Sequence, residues 1–256
     1  MTANGQLFVV GVGPGHRDLV TPQAAAALRH AEVVIGYAGY FPWVQDLIQG
    51  KEWLALPLGQ EKERAQAALE YARQGRQVAL ISSGDPGIYA MASLVLEMLA
   101  SMAEDRRPEV VVLPGVSALN AAAALLGAPL GHDFAAMSLS DLLTPWETIE
   151  KRLRAAAGAD FVLALFNPKS RRRDWQLDRA REILLDQRQG STPVGIVRHA
   201  TRPQQNIVLT TLADLDAAKV DMFSIVIVGN SSSRFVGNFI MTPRGYEISV
   251  DTGEAP

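Results

Sequence analysis

The 256 residues carry 24 Lys plus Arg against 27 Asp plus Glu, a net charge of -3, with 48% apolar and 20% charged side chains. That composition excludes wholesale disorder and does not fit a surface built for nucleic acid, because phosphate binding demands a positive excess. There is no cysteine, so disulfides, thiolate metal sites and cysteine nucleophiles are excluded.

In chain order, residues 7–12 read as a buried strand, after which Thr21 caps and Pro22 opens an alanine-rich helix to His30. Short strands are expected at 33–35 and 53–56. In a helix over 61–74, Ala65, Ala68, Leu69 and Ala72 fall on one face. Residues 78–81 form the next strand. Asp85-Pro86 repeats the cap-plus-proline opening, for a helix running towards Met102, and 110–113 is a fifth strand. Strands alternating with helices across short loops predict an α/β domain with a mostly parallel five-stranded sheet covered on both faces.

The second half predicts a helix at 116–126, a strand at 134–139 and a helix from the capping-box spacing Thr144-Pro145-Trp146-Glu147 to Ala156. A strand at 161–166, a helix at 175–185 and a strand at 194–197 follow. Strands at 206–211 and 224–228 flank a short acidic helix at 214–219, which predicts a mixed second sheet. The expected division is an N-terminal α/β domain over 1–114, a C-terminal α/β domain over 115–246 and a flexible tail over 247–256. The amino terminus lacks the basic-then-apolar pattern of a signal peptide, and the weakly polar stretch 116–130 is broken by Ser117, Asn120 and Pro129. A soluble, cytoplasmic chain with no membrane partner is expected.

Gly11-Val12-Gly13-Pro14-Gly15-His16 follows the first strand, but His16 occupies the sixth position of a dinucleotide fingerprint, and no Gly-Lys-Ser/Thr ends the loop as in a P-loop. Two readings stay open: a tight turn with positive φ, or a close approach of backbone to a ligand. Ser83-Gly84-Asp85-Pro86-Gly87 and Pro114-Gly115-Val116-Ser117-Ala118 have the same form at two more strand ends, the edge where open α/β sheets bind ligands. Asp85 is expected to cap the helix that follows it.

Phe166-Asn167-Pro168-Lys169-Ser170-Arg171-Arg172-Arg173 crowds four cations before a helix, where the macrodipole disfavours them; a solvated loop or an anionic ligand would account for the run. Arg198-His199-Ala200-Thr201-Arg202 adds two more, a distribution that suits a polycarboxylate. His16, His30, His132 and His199 lack metal-ligand spacing, and no metal is expected. No G-x-S-x-G elbow supports hydrolase chemistry.

Leu7-Phe8-Val9-Val10-Gly11-Val12-Gly13-Pro14-Gly15, with Leu19-Val20-Thr21, Gly84-Asp85-Pro86 and Pro114-Gly115-Val116-Ser117-Ala118, resembles the tetrapyrrole (corrin/porphyrin) methylases. Ser138-Leu139-Ser140-Asp141-Leu142-Leu143-Thr144-Pro145-Trp146, Phe166-Asn167-Pro168 and Arg198-His199-Ala200-Thr201 are similar to the precorrin-3B C17-methyltransferases within that family. The resemblance implies two α/β domains of the class III methyltransferase type, with S-adenosylmethionine held in the cleft between them and S-adenosylhomocysteine as product. It implies cofactor contacts from Pro14, Ser83, Gly84, Asp85, Ile88, Ser117, Ala118, Phe166 and Ala200. Uroporphyrinogen methylases carry Tyr-Met-Gly where this chain has Leu165-Phe166-Asn167. The implied reaction is methylation of C17 with ring contraction of precorrin-3B to precorrin-4 in cobalamin biosynthesis, by a homodimer. Asp85 and His199 are the candidate catalytic groups, and Lys169, Arg171, Arg172, Arg173, Arg198 and Arg202 the candidates for the tetrapyrrole's carboxylate arms. The competing readings are a cobalt-factor III C17-methyltransferase and a non-catalytic nucleotide-binding regulator.

Overall fold

Strand β1 (Gln6–Gly11) buries Leu7, Val9 and Val10 completely, a run without polar alternation that only a sheet covered on both faces accommodates. The computed structural model describes residues 5–170 and 173–247. Its described residues cluster into two units: the chain to Ala121 together with His199–Gln205, and Ala122–Arg198 together with the chain from Asn206 onward.

In the first unit, α1 (Pro22–His30), β2 (Val33–Tyr37), the short α2 (Phe41–Val44), β3 (Glu52–Leu56), α3 (Glu61–Arg73), β4 (Gln77–Ser82), α4 (Met91–Ala100) and β5 (Glu109–Leu113) follow β1. The sheet order is β3-β2-β4-β1-β5, parallel throughout. Side chains alternate between the two faces. Val10, Val34, Ala79 and Ile81 pack with Ala24, Ala27 and Leu28 of α1. Leu7, Val9, Val33, Ile35, Val78 and Leu80 pack with Ala65, Ala68 and Leu69 of α3 and Val95 of α4. Each large aliphatic side chain buried this way contributes about 1.5–3 kcal/mol. The Thr21 hydroxyl accepts the Ala24 N–H at 3.1 Å, so α1 begins with the expected cap and proline.

The second unit contains most of α5 (Ala118–Leu126), then β6 (Gly127–Ala128), β7 (Phe134–Ser138), α6 (Trp146–Gly158), β8 (Val162–Phe166), α7 (Gln176–Leu185), β9 (Pro193–Arg198), β10 (Asn206–Thr211) and β11 (Ser224–Val228). Its sheet runs β10-β9-β11-β8-β7 and is mixed: only β7 and β8 pair in parallel. Leu163, Leu165, Ile196 and Val226 meet Ile149 and Leu153 of α6 and Leu177 and Ala180 of α7. On the other face, a Cβ at Gly195 would lie 2.4 Å from a methyl of Leu126, so glycine there lets α5 press against the sheet.

Three local expectations need correction. Helix α4 starts at Met91, because Asp85 turns its carboxylate onto loop amides instead of capping a helix. Helix α6 has Pro145 at its N-cap with no side-chain cap bond, so the Thr144–Glu147 box does not form. The acidic helix at 214–219 is a single 3-10 turn, Ala217–Lys219, whose Ala218 N–H is capped by Asp216 at 2.8 Å. A third sheet, β12 (Arg234–Val236), β13 (Phe239–Met241) and β6, was not anticipated, since strands of two or three residues carry no periodicity. Most of the tail, residues 248–256, lies outside the described residues. Among the described residues, no helix is long and apolar enough to cross a membrane.

Candidate functional site

Three loops leave the carboxyl ends of the neighbouring strands β4, β1 and β5, and in the first unit they are fastened to one another. Gly13 N–H donates to Gly84 O at 3.2 Å, and Gly84 N–H returns a bond to Gly13 O at 2.8 Å. Both glycines have positive φ, +73° and +67°. Gly115 sits so close to this bridge that a Cβ on it would be 2.1 Å from Gly84 O and 2.8 Å from the carbonyl carbon of Gly11. The glycines therefore permit loop-on-loop packing, and the turn reading of Gly11–Gly15 is correct. A Cβ on Gly13 would itself meet Leu19 O at 2.7 Å. Substitution there disturbs the loop whether or not a ligand approaches it.

Asp85 ties the rim together from the side: Oδ1 accepts the Gly87 N–H at 2.8 Å and Oδ2 the Gly115 N–H at 3.1 Å. Ser117 is buried, donates its hydroxyl to Asn120 Oδ1 at 2.7 Å and accepts the Asn120 N–H at 3.2 Å, capping α5. The side chains of Asp85 and Ser117 are thus spent on holding backbone. Pro14 and Gly84 are buried, while Ser83 and Ala118 are half-buried. Ile88 and Tyr89 are exposed beside them, Tyr89 with φ +50°, a left-handed conformation uncommon for an aromatic residue.

The segment His199–Gln205 completes this rim. His199 and Thr201 have φ of +50° and +64°, and Gln205 Oε1 accepts the Thr201 N–H at 2.8 Å. Arg202 Nε donates to Pro14 O at 2.8 Å, and its guanidinium lies 4.0 Å from the centre of the Trp43 ring. Burial lowers the Arg202 pKa from its ordinary value, with the nearby Tyr40 opposing that shift. Ala200 is buried. A hollow of about 500 Å³ opens between residues 16–19 and 201–205, walled by His16, Leu19, Thr201 and Arg202.

In the second unit, the carboxyl ends of β7, β8 and β9 carry the remaining candidates. Lys169 Nζ donates to Ala217 O at 2.9 Å. Arg173 is buried, with Nη1 on Ser140 Oγ at 3.1 Å and Nη2 on Asn167 O at 3.0 Å; desolvation lowers its pKa, opposed by Asp141. Gln176 Nε2 donates to Asp141 Oδ2 at 2.9 Å, so Arg173 and Gln176 brace the 138–141 loop while Leu142 and Leu143 beyond it stand 81% and 99% exposed. Arg198 Nε lies 3.6 Å from Asp221 Oδ2, and Phe166 is half-buried at the end of β8. Arg171 and Arg172 fall outside the described residues. Because α7 starts at Gln176 with Trp175 at its N-cap, Lys169 and Arg173 precede the helix, and protein carbonyls answer them. Lys169 and Arg173 therefore lend the dipole argument for an anion at that helix no support. Among the described residues, no group of three or more His, Asp or Glu side chains could hold a metal ion.

Sequence reasoning missed Trp43 and the Pro14–Arg202 bond. The only local signal was an arginine beside glycine- and proline-rich turns, which does not identify its partner.

A family model described as Tetrapyrrole (Corrin/Porphyrin) Methylases matches residues 6–216. A probable cobalt-factor III C(17)-methyltransferase of Salmonella typhimurium is 48% identical over 94% of this chain and all of its own length. A precorrin-3B C(17)-methyltransferase of Sinorhizobium is 43% identical over 94% of this chain and 97% of its own. The crystal structure of the methyltransferase CobJ superposes with a TM-score of 0.87 at 43% identity, covering 93% of this chain and all of that one.

Proposed function

The chain belongs to the tetrapyrrole (corrin/porphyrin) methylases, and from that premise we propose that it is an S-adenosylmethionine-dependent methyltransferase acting on C17 of precorrin-3B. Methylation is accompanied by contraction of the macrocycle to precorrin-4, in cobalamin biosynthesis. The observation that carries this reading is the nearly end-to-end likeness to two relatives that are both named for methylation at C17.

The rim of the first unit fits a small donor. Side chains that could crowd it, Asp85 and Ser117, are turned onto backbone partners, and apolar Ile88 is exposed alongside. In this reading Pro14, Ser83, Gly84, Asp85, Ile88, Ser117, Ala118 and Ala200 form the donor's surroundings, and Phe166 joins them on the strength of its motif. S-adenosylmethionine, when bound, supplies a methyl group already activated on a sulfonium. The protein's own contribution is then chiefly orientation of donor and acceptor carbon, an effect that reaches several kcal/mol, up to about 7–11 in well-aligned systems. Asp85 acts by fixing the corner between Gly87 and Gly115. His199, on left-handed backbone of the kind that strained functional sites use, is the group proposed to handle protons during contraction. Lys169 and Arg198, with Arg171 and Arg172, are the proposed carboxylate ligands; Arg173 serves the 138–141 loop instead. The enzyme is proposed to work as a cytoplasmic homodimer.

A cobalt-containing substrate is the second reading, favoured by the 48% identity to the cobalt-factor III relative. Incubating the protein and S-adenosylmethionine with each tetrapyrrole, and following S-adenosylhomocysteine release and product mass, tests both. Turnover of neither, together with calorimetric binding of NAD or ATP but not S-adenosylhomocysteine, would instead establish a nucleotide-binding regulator.

A further inference from the structure

We propose that Arg202 is a positioning residue for the methyl donor's loop and not a ligand of the substrate's carboxylates. The inference rests on the methyltransferase reading above.

Three observations converge on it. First, Nε is committed to Pro14 O at 2.8 Å, the carbonyl at the apex of the first corner. Second, the central carbon of the guanidinium sits over Trp43, 4.0 Å from the ring centre, a cation–π geometry that strengthens as water is excluded. Trp43 is not a loose flap: its ring packs on Tyr40 at 5.1 Å between centroids, and Tyr40 packs edge-on against Tyr37 at the same distance. Third, the loop and the arginine are shaped to each other. A Cβ on Gly15 would lie 2.5 Å from Arg202 Cγ, so the side-chain stem occupies space that only glycine leaves open.

The segment that delivers Arg202 is itself held by local bonds. Arg202 N–H donates to His199 O at 3.0 Å, and Gln205 N–H to Arg202 O at 2.9 Å. His16 N–H reaches Thr201 Oγ1 at 3.4 Å, a second tie between the same two stretches of chain. A group meant to catch carboxylate arms would present its guanidinium to solvent. Here it bridges an aromatic platform and a backbone carbonyl, and the carbonyl belongs to a residue of the proposed donor site. Lysine could reach the carbonyl but has no planar group to lie on the indole, so the two residues are not equivalent here.

The test is a split between donor and substrate affinity, measured on the full chain. Arg202→Gln is expected to weaken S-adenosylhomocysteine binding about tenfold by calorimetry while the KM for the tetrapyrrole, at saturating donor, stays unchanged. Arg202→Lys should recover part of that loss. Because Arg202→Gln could lower the amount of folded protein, Trp43→Phe and Trp43→Leu form an independent pair: phenylalanine keeps an aromatic face and should bind S-adenosylhomocysteine more tightly than leucine does. A raised tetrapyrrole KM with donor affinity intact in Arg202→Gln, or equal donor affinities in the two Trp43 variants, overturns the proposal. If the unaltered chain ignores S-adenosylhomocysteine, the methyltransferase reading itself falls and takes this inference with it.

Discussion

Gly115→Ala is the sharpest probe of the rim, because the three atoms nearest its new methyl are all backbone. The Cβ would lie 2.1 Å from Gly84 O and within 2.9 Å of two atoms of Gly11. Carbon and oxygen settle near 3.5 Å or slightly closer, so relief requires one loop to retreat by on the order of 1 Å. Gly84 is bound to Gly13 by bonds of 3.2 and 2.8 Å, and that retreat breaks or badly stretches both. Two backbone hydrogen bonds at about 0.5–1.5 kcal/mol each, with about 1–3 kcal/mol of overpacking, place the cost at about 2–6 kcal/mol. Gly59→Ala is the control: its φ is +86° but nothing lies within 4 Å, so it pays only the left-handed backbone penalty of about 1–2 kcal/mol. Urea unfolding followed by circular dichroism should give a clearly lower midpoint for Gly115→Ala than for Gly59→Ala, with S-adenosylhomocysteine binding lost in the former alone. Equal midpoints would refute the claim that these corners are packed against each other.

Asp85→Asn keeps one acceptor oxygen where two N–H groups need one each, so the part-buried Gly115 N–H loses its partner; the expected cost is about 1–3 kcal/mol, with faster hydrogen exchange at the Gly115 amide. Unchanged exchange there would remove Asp85 from its bracing role. Arg188, 8% exposed, donates to Gly229 O at 2.5 Å and to Phe161 O, so Arg188→Leu strands two carbonyls and should lower stability by about 2–4 kcal/mol in thermal unfolding. Arg154 and Arg179 hold the Glu150 carboxyl below its ordinary pKa, Arg154 contributing most. A depressed folded pKa stabilises above the unfolded value and ceases to do so as pH falls through the folded one. Parent and Glu150→Gln should therefore differ in stability at neutral pH and converge in acid; a constant gap across the titration would contradict the ion pairing.

The strands were legible because uninterrupted apolar runs such as 7–10 and 78–81 suit a sheet covered on both faces. The caps were read less well. Thr21 behaves as its spacing predicts, whereas Asp85-Pro86 has a similar local pattern and a different fate, decided by an N–H on Gly115 that lies 30 positions away in sequence. The hairpin of β12 and β13 escaped notice since a three-residue strand holds barely one repeat of the two-residue period. For the site, the three glycine-rich corners could be found from their places at strand ends. Which cations remain available to a ligand could not: a run of charges does not reveal that Arg173 is buried against Ser140 and Asn167, or that Arg202, 188 positions from Pro14, is already committed to it.

The composition of the first unit has a bearing on how such proteins can diversify. Its opening 121 residues supply the corner at Pro14, but the side chain that clasps it arrives from His199–Gln205, after some 77 intervening positions. Recombination that exchanged the front of the gene as one block would import the loop and leave its clasp behind. Successful shuffling should consequently trade both stretches together, and an expressed fragment stopping at Ala121 would lack the arginine that holds its own Pro14 corner.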